Sequence, residues 1–146
     1  MAIKDLLEIF NLDIRFMSDQ ETVNAVSDVS ITLRSGEVLG IVGESGAGKS
    51  TIGNAIVNLL DAPGEILKGK IVFKGQNLVG MDDKAMRTIR GKKIGLIFQD
   101  PQTSLNPIMT IGNQLIETIR FSKEIDKISA YNEAVELLAV SYTHLR

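Results

Sequence analysis

The chain opens with apolar residues at alternating positions. Leu7 and Ile9, then Leu12, Ile14 and Phe16, recur at a spacing of two with one break in phase, as in a strand with one face in a core and one in solvent. Ser18-Asp19-Gln20-Glu21 reads as a turn, and alternation resumes over residues 23–26 and 29–33 before Arg34-Ser35-Gly36 interrupts it. The first third is therefore predicted as an antiparallel β-layer. The pattern then changes. Val38-Leu39-Gly40-Ile41-Val42 is apolar throughout, as is Ile94-Gly95-Leu96-Ile97-Phe98. Such runs suit strands buried on both faces in the middle of a parallel sheet.

Helical spacing appears between and after these runs. Ile52, Ala55, Ile56, Leu59 and Leu60 fall on one stripe of an amphipathic helix that Pro63-Gly64 ends. Residues 69–73 read as a strand, and residues 82–90 as a short charged helix with Asp82 as its N-cap. Residues 109–120 and 129–139 carry helical spacing again. The expected class is α/β, a β-layer leading into a strand, loop and helix unit, with a helical tail.

Composition narrows the options. The 146 residues are about one domain's worth, and 44% hydrophobic with 23% charged residues is the balance of a globular protein. No apolar run approaches the roughly 18 to 20 residues of a membrane span, and Met1-Ala2-Ile3-Lys4-Asp5 lacks the apolar core of a secretion signal, so a cytoplasmic chain is expected. The absence of cysteine excludes disulfides and thiolate metal sites. A net charge of −2 provides no electrostatic drive towards nucleic acid, and the cluster Arg87, Arg90, Lys92 and Lys93 reads as a solvated helix end.

The strongest chemical signal lies between the first buried run and the first helix. Gly43-Glu44-Ser45-Gly46-Ala47-Gly48-Lys49-Ser50, followed by Thr51, satisfies the phosphate-loop pattern GxxxxGK[ST]. Glycines let successive N–H groups turn inward around a polyphosphate, and the helix that follows adds the positive end of its dipole. Lys49 provides a mobile charge for the terminal phosphates, and the Ser50 hydroxyl suits Mg²⁺. Chance would produce such a match on the order of 0.01 times in a chain of this length.

With these residues in place, the sequence resembles the ATP-binding subunits of ABC transporters. Ser35-Gly36-Glu37 resembles the run leading into that family's phosphate loop, and residues 90–101, ending in Phe98-Gln99-Asp100-Pro101, are similar to the approach to its Q-loop. Gln102-Thr103-Ser104-Leu105-Asn106-Pro107 and Gly43-Glu44-Ser45-Gly46 resemble the form found in the oligopeptide, dipeptide and nickel importer subfamily. The likeness runs over residues 5–139. It implies a P-loop ABC ATPase core, with ATP and Mg²⁺ as cofactors. By the same likeness, Lys49 and Gln99 would serve catalysis, and Ser50 and Gln99 would meet Mg²⁺. The nucleotide would be held by Phe16, stacked on adenine, by Gly43, Glu44, Ser45, Gly46, Ala47, Gly48, Lys49, Ser50 and Thr51, and by Gln99. Residues 100–109 would lie near the surface that meets the membrane subunit.

The resemblance further implies transmembrane permease subunits, a second ATP-binding subunit that is usually a paralogue, and indirectly an extracytoplasmic peptide-binding protein. The chain would sit at the cytoplasmic face of the membrane. Two such subunits would close over two ATP molecules and reopen on hydrolysis.

Parts of the family pattern are missing from the sequence. It has no Leu-Ser-Gly-Gly-Gln signature, no apolar strand ending in Asp-Glu, and no switch histidine. His144, the sole histidine, lies in residues 140–146, which do not resemble the family's continuation and read as an artefactual end. The expectation is thus residues 1–139 of an ABC domain cut within its helical subdomain, poorly stable and hydrolysing ATP negligibly alone. The rival readings are a soluble ABC-type ATPase without a membrane partner and, for these 146 residues alone, a nucleotide-binding module without hydrolysis. A small GTPase is disfavoured, because Asp61-Ala62-Pro63-Gly64 follows the loop by barely one helix and no Asn-Lys-x-Asp occurs. A small-molecule kinase would need an arginine-rich lid.

Overall fold

A computed structural model describes residues 5–18, 21–100 and 104–143. Asp19 and Gln20 of the expected turn, Pro101-Gln102-Thr103 of the Q-loop run and His144-Leu145-Arg146 lie outside the described residues. The chain divides into two compact units, residues 1–94 and 95–146.

The first unit is built on a four-stranded antiparallel sheet in the order β2-β1-β3-β4. Its strands are β1 (Asp5–Met17), β2 (Thr22–Arg34), β3 (Gly64–Phe73) and β4 (Gln76–Asn77). The expected β-layer is there, with residues 22–34 as one continuous strand. The phase break in β1 is a bulge: Asn11 has φ 44°, and this extra residue returns Leu12 and Ile14 to the face occupied by Ile9. A matching irregularity in β2 places Asp28 at φ 53° between Val26 and Val29. The two bulges are laced together. Asn11 Nδ2 donates to Asp28 Oδ1 at 2.8 Å, the Asp28 N–H donates to Asp13 Oδ1, and Lys68 from β3 pairs with Asp13 Oδ2 at 3.1 Å. Beside them Gly69 has φ 100°, and a Cβ there would lie 2.6 Å from the Phe10 carbonyl oxygen, so only glycine allows β3 to approach.

One face of this sheet carries the core. Ile9, Leu12, Ile14, Val26, Ile71 and Phe73 pack with Ile52 and Ala55 of α1 (Lys49–Ile56) and with Leu78, Met86 and Ile89. Met86 belongs to α2 (Asp83–Arg87), which Asp82 caps as expected, its Oδ1 accepting from the Ala85 N–H at 2.7 Å. The basic cluster is largely paired within this helix end. Arg87 and Arg90 both bind Asp83, at 2.9 and 3.0 Å, in accord with a solvated helix end.

Two expectations fail here. Residues 38–42 and 94–98 are not strands, and among the described residues parallel pairing is limited to an isolated bridge between Arg90 and Ile94. Val38 and Val42 are 95% and 94% exposed, and Ile97 is 92% exposed. A strand buried on both faces needs strands on both sides to pair its N–H and C=O groups, and among the described residues no strand is paired with either run. The α1 stripe is also shorter than its spacing suggests. The helix ends at Ile56, Asn58 turns left-handed at φ 52°, and Leu59 is exposed.

The second unit is a pair of helices, α3 (Ile111–Lys123) and α4 (Lys127–Thr143), packed through Ile116, Ile119, Ala130 and Ala134. Glu124 ends α3 at φ 58°, and Asp126 opens α4 by accepting from the Ile128 and Ser129 N–H groups. Both helices were expected, and each runs past its sequence-based end. No helix among the described residues is long and apolar enough to cross a membrane.

Candidate functional site: the phosphate loop

Residues 43–48 leave the extended segment and curl into the start of α1. The curl begins as a turn in which the Ala47 N–H donates to the Glu44 carbonyl at 3.2 Å, and it depends on two left-handed glycines, Gly46 at φ 84° and Gly48 at φ 81°. Gly48 is also the N-cap of α1, where no side chain closes the helix end. The first intrahelical bond is donated by Ile52 to the Gly48 carbonyl at 3.0 Å. The N–H groups of Lys49, Ser50 and Thr51 therefore have no intrahelical acceptor and open into the loop.

Lys49 reaches back across this opening. Its Nζ donates to the Gly43 carbonyl at 2.9 Å and to the Glu44 carbonyl at 2.5 Å, which holds a positive charge at the mouth of the loop. Ser45 and Ser50 are exposed, and Thr51 is half-buried. The arrangement suits a polyphosphate on its own terms: it combines three N–H groups without an intrahelical acceptor, the positive end of a helix dipole and one ammonium. The Ser50 hydroxyl is exposed on the first turn beside Lys49, a position from which it could reach a metal ion.

What fixes the loop in space is its contact with β2. A Cβ on Gly48 would lie 2.3 Å from the Ala25 carbonyl oxygen and 3.2 Å from a Val26 methyl, so the loop is seated directly on the strand. Ile52 and Ala55, buried one turn on, anchor the helix behind it. The motif signals that glycine is needed at Gly48 but not that β2 is the reason; this contact is legible only in three dimensions.

Phe16 stands near the same end of the sheet. It pairs with Val23, two residues along β2 from Ala25, a separation of about 7 Å along a strand. The ring is half-buried against the core, with one edge over Gly64, where a Cβ would come within 2.7 Å of it. The sheet thus gathers Phe16 and residues 43–51, while Gln99 belongs to the second unit and is exposed. The described residues contain no cluster of three or more His, Cys, Asp or Glu side chains able to hold a metal.

The family model described as ABC transporter matches residues 26–145, a span that includes this loop. The chain belongs to the ABC transporter family. Among curated relatives, the oligopeptide transport ATP-binding protein OppD of Haemophilus influenzae is 46% identical over 133 residues, covering 91% of this chain and 41% of that protein. The dipeptide transport ATP-binding protein DppD of Escherichia coli is 40% identical, with 91% and 41% covered. This ABC chain therefore spans about two fifths of the length of the curated relatives it matches. Among solved structures, the dimeric post-hydrolysis state of the ATP-binding cassette MJ0796 bound to ADP and Pi aligns with a TM-score of 0.78 at 26% identity, over 92% of this chain and 56% of that one. The α/β P-loop fold of an ABC ATPase is thus the fold of this chain.

Proposed function

We propose that this chain is the phosphate-binding part of an ATP-binding subunit that energises an ABC importer of peptides. The observation that carries the reading is the loop itself: the N–H groups of Lys49, Ser50 and Thr51 start the helix without an intrahelical acceptor, and the Lys49 ammonium is held at the Gly43 and Glu44 carbonyls of the same loop, the donors a triphosphate requires. The names of the relatives support the cargo class, since OppD and DppD are transport proteins for oligopeptides and dipeptides. A nickel chelate is the alternative cargo that the Q-loop run suggests.

In this reading residues 43–51 bind the phosphates, Ser50 holds Mg²⁺, and the free face of Phe16 takes the adenine. Mg²⁺ would neutralise charge building on the terminal phosphates. Lys49 orients those phosphates, and Gln99 carries an amide able both to donate and to accept at the metal and water. The subunit acts as one of a pair beneath transmembrane permease subunits, at the cytoplasmic face, with an extracytoplasmic peptide-binding protein delivering cargo. ATP would drive closure of the pair by binding the closed state more tightly. The chain has no signature run and no strand ending in Asp-Glu, so these 146 residues alone bind without appreciable turnover.

Titration calorimetry of the intact subunit with ATP and magnesium tests the reading. Saturable binding that Lys49→Ala weakens is expected; absence of binding by the unaltered subunit would overturn it.

A further inference from the structure

The Phe16 ring rests on a neighbour that has no side chain. Phe16 on β1 stands opposite Gly64 at the start of β3. A methyl placed on Gly64 would lie 2.7 Å from Phe16 Cε1 and 3.0 Å from Cζ, against about 3.5–4.0 Å for an ordinary carbon contact. The outer edge of the ring therefore occupies the space that a side chain at this position would take. Gly64 is not left-handed, so what glycine supplies here is room and not backbone freedom.

The other side of that space is closed as well. The Asp61 carbonyl oxygen would lie 2.8 Å from the same methyl, and it is held there by accepting from the Gly64 N–H at 2.8 Å. A turn closed by its own hydrogen bond and a ring edge thus border the same space at Gly64. Of the two, the ring yields more readily, because it turns about two side-chain torsions.

Its angle matters because the phosphate loop is fixed to the same sheet. That loop sits on β2 at Ala25, while Phe16 pairs with Val23 of β2 and with Gly64 of β3. A nucleotide carries its base and its phosphates on one ribose, so a ring turned out of place loses the base while the phosphates stay in the loop. Stacking also needs the two planes offset and face to face. We propose that Gly64 is a positioning residue, whose lack of a side chain sets the angle at which Phe16 offers its ring to the nucleotide base. This rests on the reading of Phe16 as the adenine platform and adds to it the residue that orients the platform. Gly64 acts through the ring and takes no part in holding phosphate or metal.

The test uses the intact subunit with magnesium and two probes, ATP and tripolyphosphate, which lacks a base. By calorimetry, Gly64→Ala and Phe16→Leu should each weaken ATP about tenfold, as a stacked base is lost, and leave tripolyphosphate unchanged. Adding Gly64→Ala to Phe16→Leu should weaken ATP no further. Equal loss of both probes in Gly64→Ala, or wild-type ATP affinity in that variant, overturns the role of Gly64. The unaltered subunit gives a second readout by nuclear magnetic resonance. The Gly64 α-protons should be shifted by the Phe16 ring current, and that shift should persist when ATP is added. Its disappearance on ATP addition would show that the ring turns on binding, and would overturn the proposal without any variant at Gly64. Wild-type ATP affinity in Phe16→Leu removes Phe16 from the base, and this inference with it, and leaves the phosphate loop standing. Failure of the unaltered subunit to bind ATP overturns the importer reading itself.

Discussion

Gly48 lies against Ala25 so closely that a single added methyl would sit 2.3 Å from the Ala25 carbonyl oxygen. Backbone, not a flexible side chain, is what such a methyl would meet, and Gly48 is also left-handed at φ 81°. Gly48→Ala should therefore cost about 1–3 kcal/mol from the backbone conformation alone, and more as β2 is displaced. The urea midpoint and the ATP affinity of the intact subunit should fall together. An alanine variant matching the wild type in both would show that the loop is not seated on β2.

Lys49→Ala removes the cation bonded to the Gly43 and Glu44 carbonyls of the loop. Charged hydrogen bonds contribute about 1.5–3 kcal/mol, so ATP affinity should drop by roughly tenfold or more while the melting temperature changes little. The 146-residue chain itself should show no measurable ATP turnover. Steady release of phosphate by that chain, abolished by Lys49→Ala, would contradict the proposal that these residues bind ATP without turnover.

Acid should loosen the bulge cluster before the core. The Asp28 backbone N–H and the Lys68 ammonium hold the Asp13 carboxyl below its ordinary 3.8, and the same pair raises Lys68 above 10.5. For Asp13, whose folded pKa is depressed, the stabilisation is present above about pH 4 and is lost as pH falls through the folded value. For Lys68, whose pKa is raised, it is complete below about pH 10 and is lost as pH rises beyond the folded value. Urea midpoints of wild type and Asp13→Asn should differ by a constant amount from about pH 5 to 9 and converge below pH 4. A difference that stays constant down to pH 2 would rule out this pair as the cause.

Exposed apolar segments at residues 38–42 and 95–98, with no strand paired to them among the described residues, make the isolated chain prone to self-association through strand addition. Val38→Lys and Ile97→Lys should reduce light scattering by the 146-residue chain without lowering its melting temperature, because both side chains already lie in water. Scattering unchanged by either substitution would locate the sticky surface elsewhere.

Local chemistry made much of this protein legible before any coordinates. Alternation specified β1 and β2, Asp82 marked a cap, and the glycines with Lys49 and Ser50 marked a phosphate site, since each depends on residues a few positions apart. Even the phase break near Asn11 was visible, though not its cause, a bulge shared by three strands through Asp13, Asp28 and Lys68.

Burial could not be read in the same way. An apolar run states what a segment tolerates, and only neighbours beside it decide whether it becomes a strand; among the described residues no strand pairs with residues 38–42 or 95–98, and their apolar side chains are exposed. The same holds for the seat of Gly48 on Ala25 and the approach of Phe16 to Gly64, 23 and 48 residues apart in the chain. Spacing along a chain encodes direction and polarity, whereas contact is a property of the folded backbone. The phosphate loop thus announced itself in the sequence, and tertiary structure alone decided what holds it.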